Sequence, residues 1–515
     1  MSEPKRIVLN DDGWIMSQIM TPVTTAVLKE RIVDTYVDSG LDTLSWCMGD
    51  TGRQRYETLD ILAQPNYLPQ GRENDLAAQN LRRLIDSDGG PVTIFTKFCH
   101  EIGLKFLPSV RMNSHYDRSL ADDVGSIRQD HPEYLLGQAD EEFVPNTTEW
   151  GIRTGLDYAR PEVRSHVAAL VIDLFERFDT DGVELDFMRH PAFIRVEEAY
   201  GSRHLITDML RRIRARMDEV SASSGRDLEI LVRVPPTLAD SARIGLDVET
   251  WIREGIVDTV AAGGGFIPLH APVEEFVEAA QGTDCQILGA IESLRPATEE
   301  ESVQAIASRL YEGGASGLYL FNFWHKSADW KGRVLNVLTD TDQLSRATKR
   351  YEMEYMERLA PNDLHSYAFR YAVPAVQLPV GLGFNLTGRG TVLSLTIGDD
   401  IERAAADGEI AWCTLELGFS DISAEDEIEV LVNGVPLPSE NATRRFGTWS
   451  RQEWTKFPDR LAEVDYDGGV IEYELDGPPF RKGENEIEVR TIMRTVMKGA
   501  ILSIRHVELQ IEYDV

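Results

Sequence analysis

The stretch DGVELDFMRHP, residues 181–191, sets Glu184 and Asp186 two positions apart inside an apolar run. Successive side chains of a strand point to opposite faces. Val183, Leu185 and Phe187 therefore fall on one face, and Glu184, Asp186 and Met188 on the other. Burying two carboxylates on one strand face costs free energy unless each is paired or put to use. Asp186 lies nearer the carboxyl end of the strand and is expected to face a substrate. Glu184 lies deeper, either held by a cation such as Arg233, binding a substrate hydroxyl, or tuning Asp186 through like-charge repulsion. A further carboxylate, Glu292, closes the apolar run ILGAIES. Two carboxylates flanking one glycosidic bond are the minimal equipment for its hydrolysis: one protonates the leaving oxygen, the other attacks the anomeric carbon or activates water. Asp186, Glu292 and Glu184 are the catalytic candidates, with the division of roles open.

Other apolar runs end in groups suited to holding a sugar. LNDDGW supplies Asp11 and Asp12, and LSWC supplies Trp46. SVRMNSHYD supplies Arg111, Asn113 and His115 on one parity, and LFNFWHK supplies Asn322, Trp324 and His325. Aromatic faces stack on sugar rings, and Asn or Arg reads hydroxyls or carboxylates. The loop arginines Arg53, Arg55, Arg72, Arg118, Arg128 and Arg153 would suit an anionic sugar such as a uronate, or simply be solvated. A paired-carboxylate enzyme needs neither metal nor cofactor. The alternative is a metal-dependent lyase, hydrolase or isomerase on a sugar or sugar acid. In it Asp11, Asp12, Glu184, Asp186, His115 and His325 would offer an oxygen-rich set for Mg, Mn or Ca. A non-catalytic carbohydrate-binding protein is the third reading. DDG also opens metal-dependent polysaccharide deacetylases, but those need an H-x-x-x-H pair, and none of the ten histidines has that spacing. The glycines of VAAGGGF lack the lysine and serine of a phosphate loop, so a close backbone turn is the expected role.

Positioning these groups takes a scaffold. Eight short apolar runs alternate with helical periodicity up to about residue 350, beginning with RIVLN and ending with SGLYLF. No G-x-G-x-x-G follows the first run, and eight strand–helix units fit a closed barrel better than an open sheet. The expected fold class is α/β: a (β/α)8 TIM barrel over residues 1–350. Its active site would lie at the carboxyl ends of the strands, walled by two long connections after the second and third runs. Residues 361–515 read differently. Alternating runs such as TVLSLTIG, EIAWCTLELGF and ENEIEVRTIM, with a hairpin signal at Asn433-Gly434, predict an antiparallel β-sandwich of jelly-roll type.

A net charge of −34 repels phosphate backbones, so nucleic acid is not an expected partner, and no basic cluster suggests a membrane surface. The four cysteines form no C-x-x-C pair and sit in apolar runs, as reduced buried thiols do. With no signal-like segment before RIVLN, a cytoplasmic protein is expected, its three N-x-T matches being accidental. The expected partner is a carbohydrate substrate, and an exposed sheet edge would allow homo-oligomers.

One segment carries a family likeness. GLDYARPEVRSHVAALVIDLFERFDTDGVELDFMRHP resembles the central stretch of the glycoside-hydrolase-like barrels called family-10-like, or glycosyl hydrolase-like 10. The matching residues are Tyr158, Pro161, Glu162, Val163, Arg164, Asp181, Gly182, Asp186, Arg189 and Pro191. The resemblance covers some forty residues. It implies a (β/α)8 barrel acting on glycosides, with Asp186 catalytic and Arg189 in the site. Two positions depart from the family pattern: Glu184 stands where histidine is usual, and His190 where an aromatic residue is common.

Overall fold

A computed structural model of the chain describes residues 4–13, 22–51, 56, 76–113, 127–137, 152–188, 191–263, 271–293, 299–353, 355, 377–382, 390–455, 460–494 and 501–514. Eight parallel strands close into a barrel. They are β1 (Arg6–Asp11), β2 (Thr43–Asp50), β3 (Lys105–Arg111), β4 (Gly182–Asp186), β5 (Glu229–Val234), β6 (Thr259–Ala262), β7 (Gln286–Glu292) and β8 (Gly317–Phe321), with β8 returning to pair with β1.

Strand alternation sorts side chains into two layers. Val8, Leu107, Leu231, Ala261, Leu288, Ala290, Tyr319 and Phe321 pack together inside the barrel. Ile7, Leu9, Val183, Leu185, Ile230 and Val232 face outward into the core shared with the helices. Pro161 opens the helix Pro161–Glu176, where its missing N–H costs nothing, and left-handed Gly225 ends the helix Arg203–Ser224. Gly182 begins β4 at φ 139°. A Cβ there would lie 2.0 Å from the Glu229 carbonyl oxygen, so glycine is what lets β4 and β5 meet. The amino-terminal end of the barrel is plugged by Arg6, which donates to Asp42, Glu229, Thr43, Thr259 and Gln286.

The C-terminal region is built from antiparallel strands. β9 (Lys349–Glu352) and β10 (Val380–Gly381) precede β11 (Gly390–Ile397), β12 (Ile410–Ser420), β13 (Glu427–Val432) and β14 (Val435–Pro436). β15 (Ala442–Thr455), β16 (Arg460–Glu474), β17 (Gly483–Met493) and β18 (Ser503–Tyr513) follow. Pairing is nested: β10 with β18, β11 with β17, β12 with β16, β13 with β14. A long hairpin rolled up in this way gives the jelly-roll arrangement of two sheets over one core.

Three features depart from the sequence reading. β15 runs through ATRRFGTWSRQEWT, a polar stretch without clean alternation, which is tolerated at a sheet edge because only one side needs a partner. β9 lies before residue 361 yet pairs with β18. A short helix, Ile401–Ala406, interrupts the strands, capped by the Asp400 side chain. The two regions meet at the helix Glu300–Glu312. Ala305 joins the sandwich core, Ser308 Oγ donates to Asp399 (2.7 Å), and Arg309 Nε donates to the Thr396 carbonyl (2.6 Å). Lys349 is fully buried beside Asp399 at 3.1 Å. The four cysteines are free; Cys47, Cys99 and Cys413 are buried and Cys285 is half-buried. Among the described residues, no helix is long and apolar enough to cross a membrane.

Candidate active site

β4 carries Glu184 and Asp186 on its inward face, and the register of the neighbouring strands decides what surrounds each. Arg111, Asp186 and Arg233 stand side by side on β3, β4 and β5. Glu292 pairs with Phe321 on β7 and β8. All of these lie at the carboxyl ends of their strands.

Glu184 is fully buried. Asn10 Nδ2 donates to both of its oxygens (3.0 and 2.9 Å), Tyr319 OH donates to Oε1 at 2.6 Å, and Ser45 Oγ lies in short contact with Oε2. Burial first, and the neighbouring Asp186 charge second, push its carboxyl above the ordinary range, although these hydrogen bonds oppose the shift. Ser45 Oγ also lies 3.0 Å from the Leu107 carbonyl oxygen. A hydroxyl has one hydrogen, so Ser45 donates to Glu184 or to Leu107 but not to both at once. Burial, and the Glu184 charge after it, raise the Tyr319 phenol well above its usual value and keep it a donor.

Arg233 does not hold Glu184 by hydrogen bonds, as the sequence reading allowed. Its Nη1 lies 3.5 Å from Asp186 Oδ2, and its Nη2 donates to Glu292 Oε1 in a short contact. One guanidinium thus bridges the two carboxylates from β4 and β7. Its plane sits over the Phe321 ring, 3.9 Å from the centroid. Burial works against its charge, but Glu292 and then Asp186 outweigh it and raise its pKa. Asp186 Oδ1 accepts the Met188 backbone N–H at 3.0 Å, which fixes the carboxylate plane.

The other expected contacts divide sharply. Asp12 is at the mouth: Arg111 reaches its Oδ2 at 3.7 Å, and Asn322 Nδ2 donates to the same oxygen at 3.2 Å. Asn322 itself takes the left-handed conformation (φ 64°) as the chain leaves β8. Trp324 is half-buried in the next turn, edge-on to His325 at 5.8 Å. Trp46 is not at the mouth. It shares the outward parity of Leu44 and packs against Phe95, ring centroids 4.3 Å apart, in the helix layer. Asp11 likewise has the outward parity of Ile7 and Leu9. It accepts the Gly13 N–H at 2.8 Å, and its charge offsets part of the burial that brings the Lys331 ammonium down to about 8. Asn113 lies beyond the end of β3 and is saturated by backbone: it donates to Leu156 O and Ala192 O and accepts from Leu156 N. It ties two loops together. His115 and Arg189 lie outside the described residues, as do Arg53, Arg55, Arg72 and Arg118. Arg128 is buried against Asp50 at 3.1 Å.

Asn10, Ser45, Tyr319 and Phe321 were missed. Each has inward parity on its strand, the same signal that singled out Glu184. The donor set of the metal-dependent alternative is not assembled among the described residues: Asp11 faces the helices, Asp12 is engaged by Arg111 and Asn322, and Glu184 by neutral donors.

No protein-family model and no curated relative matches the chain. Among solved structures it is similar to a GH36 α-galactosidase from Geobacillus stearothermophilus, at 10% identity and a TM-score of 0.38, over 92% of this chain and 56% of that one. An α-L-fucosidase from Paenibacillus thiaminolyticus gives 12% identity and 0.43, over 66% and 49%. A glycoside hydrolase family 18 N-acetylglucosaminidase from Paenibacillus barengoltzii gives 13% and 0.35, over 65% and 99%. The chain thus spans about half the length of the first two. Likeness of this degree concerns the fold alone.

Proposed function

We propose that the protein hydrolyses O-glycosidic bonds in oligosaccharides or small glycosides, with Asp186 and Glu292 as the working pair. The observation that carries this reading is the convergence of these two carboxylates, from β4 and β7, on one guanidinium at the carboxyl-end face of a closed barrel. Asp186 is oriented by the Met188 N–H and kept beside a cation, which suits a carboxylate that attacks an anomeric carbon or activates water. A carboxyl that is to donate a proton must first leave the guanidinium. Substrate binding is therefore expected to loosen one arm of the Arg233 bridge. Glu184 lies deeper and acts as a positioning residue, its carboxyl pushed up by burial and by the neighbouring Asp186. Arg111 at the rim extends the substrate class to uronate-containing sugars. The likeness of residues 158–191 to the family-10-like barrels supports the same assignment of Asp186, and the cytoplasmic setting expected from the sequence favours small, imported glycosides.

The test is turnover of a panel of aryl glycosides and natural oligosaccharides, uronides included, by wild type, Asp186→Asn and Glu292→Gln, with and without EDTA. The expected result is cleavage that survives EDTA and falls at least ~10³-fold in each variant. Cleavage that both variants retain would remove the proposal, and cleavage abolished by EDTA and restored by metal would replace it with the metal-dependent reading.

A further inference from the structure

The outer face of the six-stranded sheet carries a second set of ionisable groups, unrelated to the barrel mouth. Tyr351, Met353, Leu415, Leu417, Val507 and Leu509 point into the sandwich core. The residues between them, Glu352 on β9, Glu416 on β12, and His506 and Glu508 on β18, therefore point away from it. Register puts Glu352 opposite Glu508, Glu508 opposite Glu416, and Glu416 opposite Glu472 on β16. Four glutamates thus stand in one row across four strands. Like charges directly opposite in a sheet repel, so such a row calls for cations.

One end of the row has its cation: Arg445 donates to Glu416 (2.9 Å) and to Glu472 (3.2 Å). The other end does not have contacts of that quality. Arg350 reaches Glu508 only at 3.5 Å. Arg451, whose field also reaches Glu352, gives a donor to the Arg505 carbonyl. His506 Nδ1 lies 3.8 Å from Glu352, and its Nε2 lies 3.5 Å from Glu508 and 3.7 Å from Glu416. These separations are too long for good hydrogen bonds. Glu352 is 7% exposed, and its Oε2 is buried without any hydrogen-bond partner.

Only one of the two ring nitrogens can bind a given ion, so the test is whether one atom from each residue comes together. Ligand atoms about 2.1 Å from a tetrahedral zinc stand about 3.4 Å from one another. One ligand atom from each of Glu352, His506 and Glu508 lies within 4.8 Å of the other two. We propose that Glu352, His506 and Glu508 bind a divalent transition-metal ion of the zinc type, with Glu416 within reach as a fourth ligand. An imidazole nitrogen among the donors selects against calcium and magnesium, which prefer oxygen throughout. The ion would neutralise the end of the glutamate row that Arg350 and His506 approach only at 3.5 Å or more. It would also clasp β9, the first strand after the barrel, to β18 near the C-terminus, so that binding energy becomes folding energy.

The experiment uses the full chain, stripped with chelator and dialysed. Zinc is titrated calorimetrically, melting is followed with and without zinc, and cobalt(II) is added as a spectroscopic probe. The expected result is one tight equivalent of zinc, a raised Tm, and the strong visible bands of four- or five-coordinate cobalt. His506→Gln and Glu352→Gln should each weaken zinc at least about 100-fold, while Glu292→Gln binds as wild type does. No zinc uptake by the wild type, or uptake unchanged in both sheet variants, overturns the proposal. So does a weak six-coordinate cobalt spectrum, which is read on the wild type and does not depend on the variants folding.

Discussion

The barrel mouth and the outer face of the six-stranded sheet both bury carboxylates, and they treat them in opposite ways. In the barrel each carboxyl group has a partner supplied by the fold. Glu184 is met by Asn10, Ser45 and Tyr319, and Asp186 and Glu292 share Arg233. In the sheet, glutamates face glutamates, and Glu352 and His506 make no hydrogen bond to one another across 3.8 Å. In the barrel Arg233 already stands between Asp186 and Glu292, so a substrate must compete with it for the carboxylates. In the sheet Arg350 and His506 reach Glu508 at 3.5 Å and His506 reaches Glu352 at 3.8 Å, and the proposed ion would draw these groups together. A partner supplied by the fold marks carboxylates held ready for chemistry; a missing partner marks a place for an ion.

Substitutions can break this contrast. The largest expected effect on stability belongs to Arg233→Met. It strands two buried carboxylates at once and should cost about 3–5 kcal/mol, measured by urea denaturation. A loss under ~1 kcal/mol would mean that water or neighbouring groups already solvate the pair.

Glu184→Gln should act through pH. The raised carboxyl pKa of Glu184 means that the folded state holds this proton more tightly than the unfolded chain does. Its contribution is fully present below the unfolded glutamate value of about 4.3 and is lost as pH rises through the folded value, with a slope of at most about 1.4 kcal/mol per pH unit. Glutamine mimics the protonated acid. The variant should lack this decline in a series of denaturation curves from acid to neutral pH. An unchanged pH slope would show that Glu184 is ionised when folded.

The smallest effect has the opposite sign. In chelated protein, Glu352→Gln should stabilise by about 0.2–1 kcal/mol, because it removes one member of a like-charge row. In zinc the same variant should melt below wild type. A loss of stability with chelator present would mean that the protein alone already satisfies Glu352, as it does Glu184.

How much of this was legible beforehand depends on which physical signal each feature uses. All eight barrel strands could be read, because short apolar runs between helical periods are a local pattern. The inward faces of Glu184 and Asp186 followed from alternation, which needs only a strand and a parity, and Glu292 from its place at the end of an apolar run. Trp46 and Asp11 went astray where position at a strand end was taken without parity, and Asn113 where the strand had already ended. β15 was invisible because an edge strand need not alternate.

The sequence by itself determined the two regions, the strands that carry chemistry and the side of each strand that faces inward, because these depend on the order of neighbouring residues. The tertiary structure alone decided which groups meet. Arg233 reaches from β5 to Asp186 and Glu292 because the closed barrel brings β4 and β7 within one guanidinium of each other and Phe321 lies beneath it. Glu352 and Glu508 face each other because the chain is rolled so that β9 lands beside β18. Both are matters of register and closure between residues 47 or more positions apart, and no local pattern encodes a register.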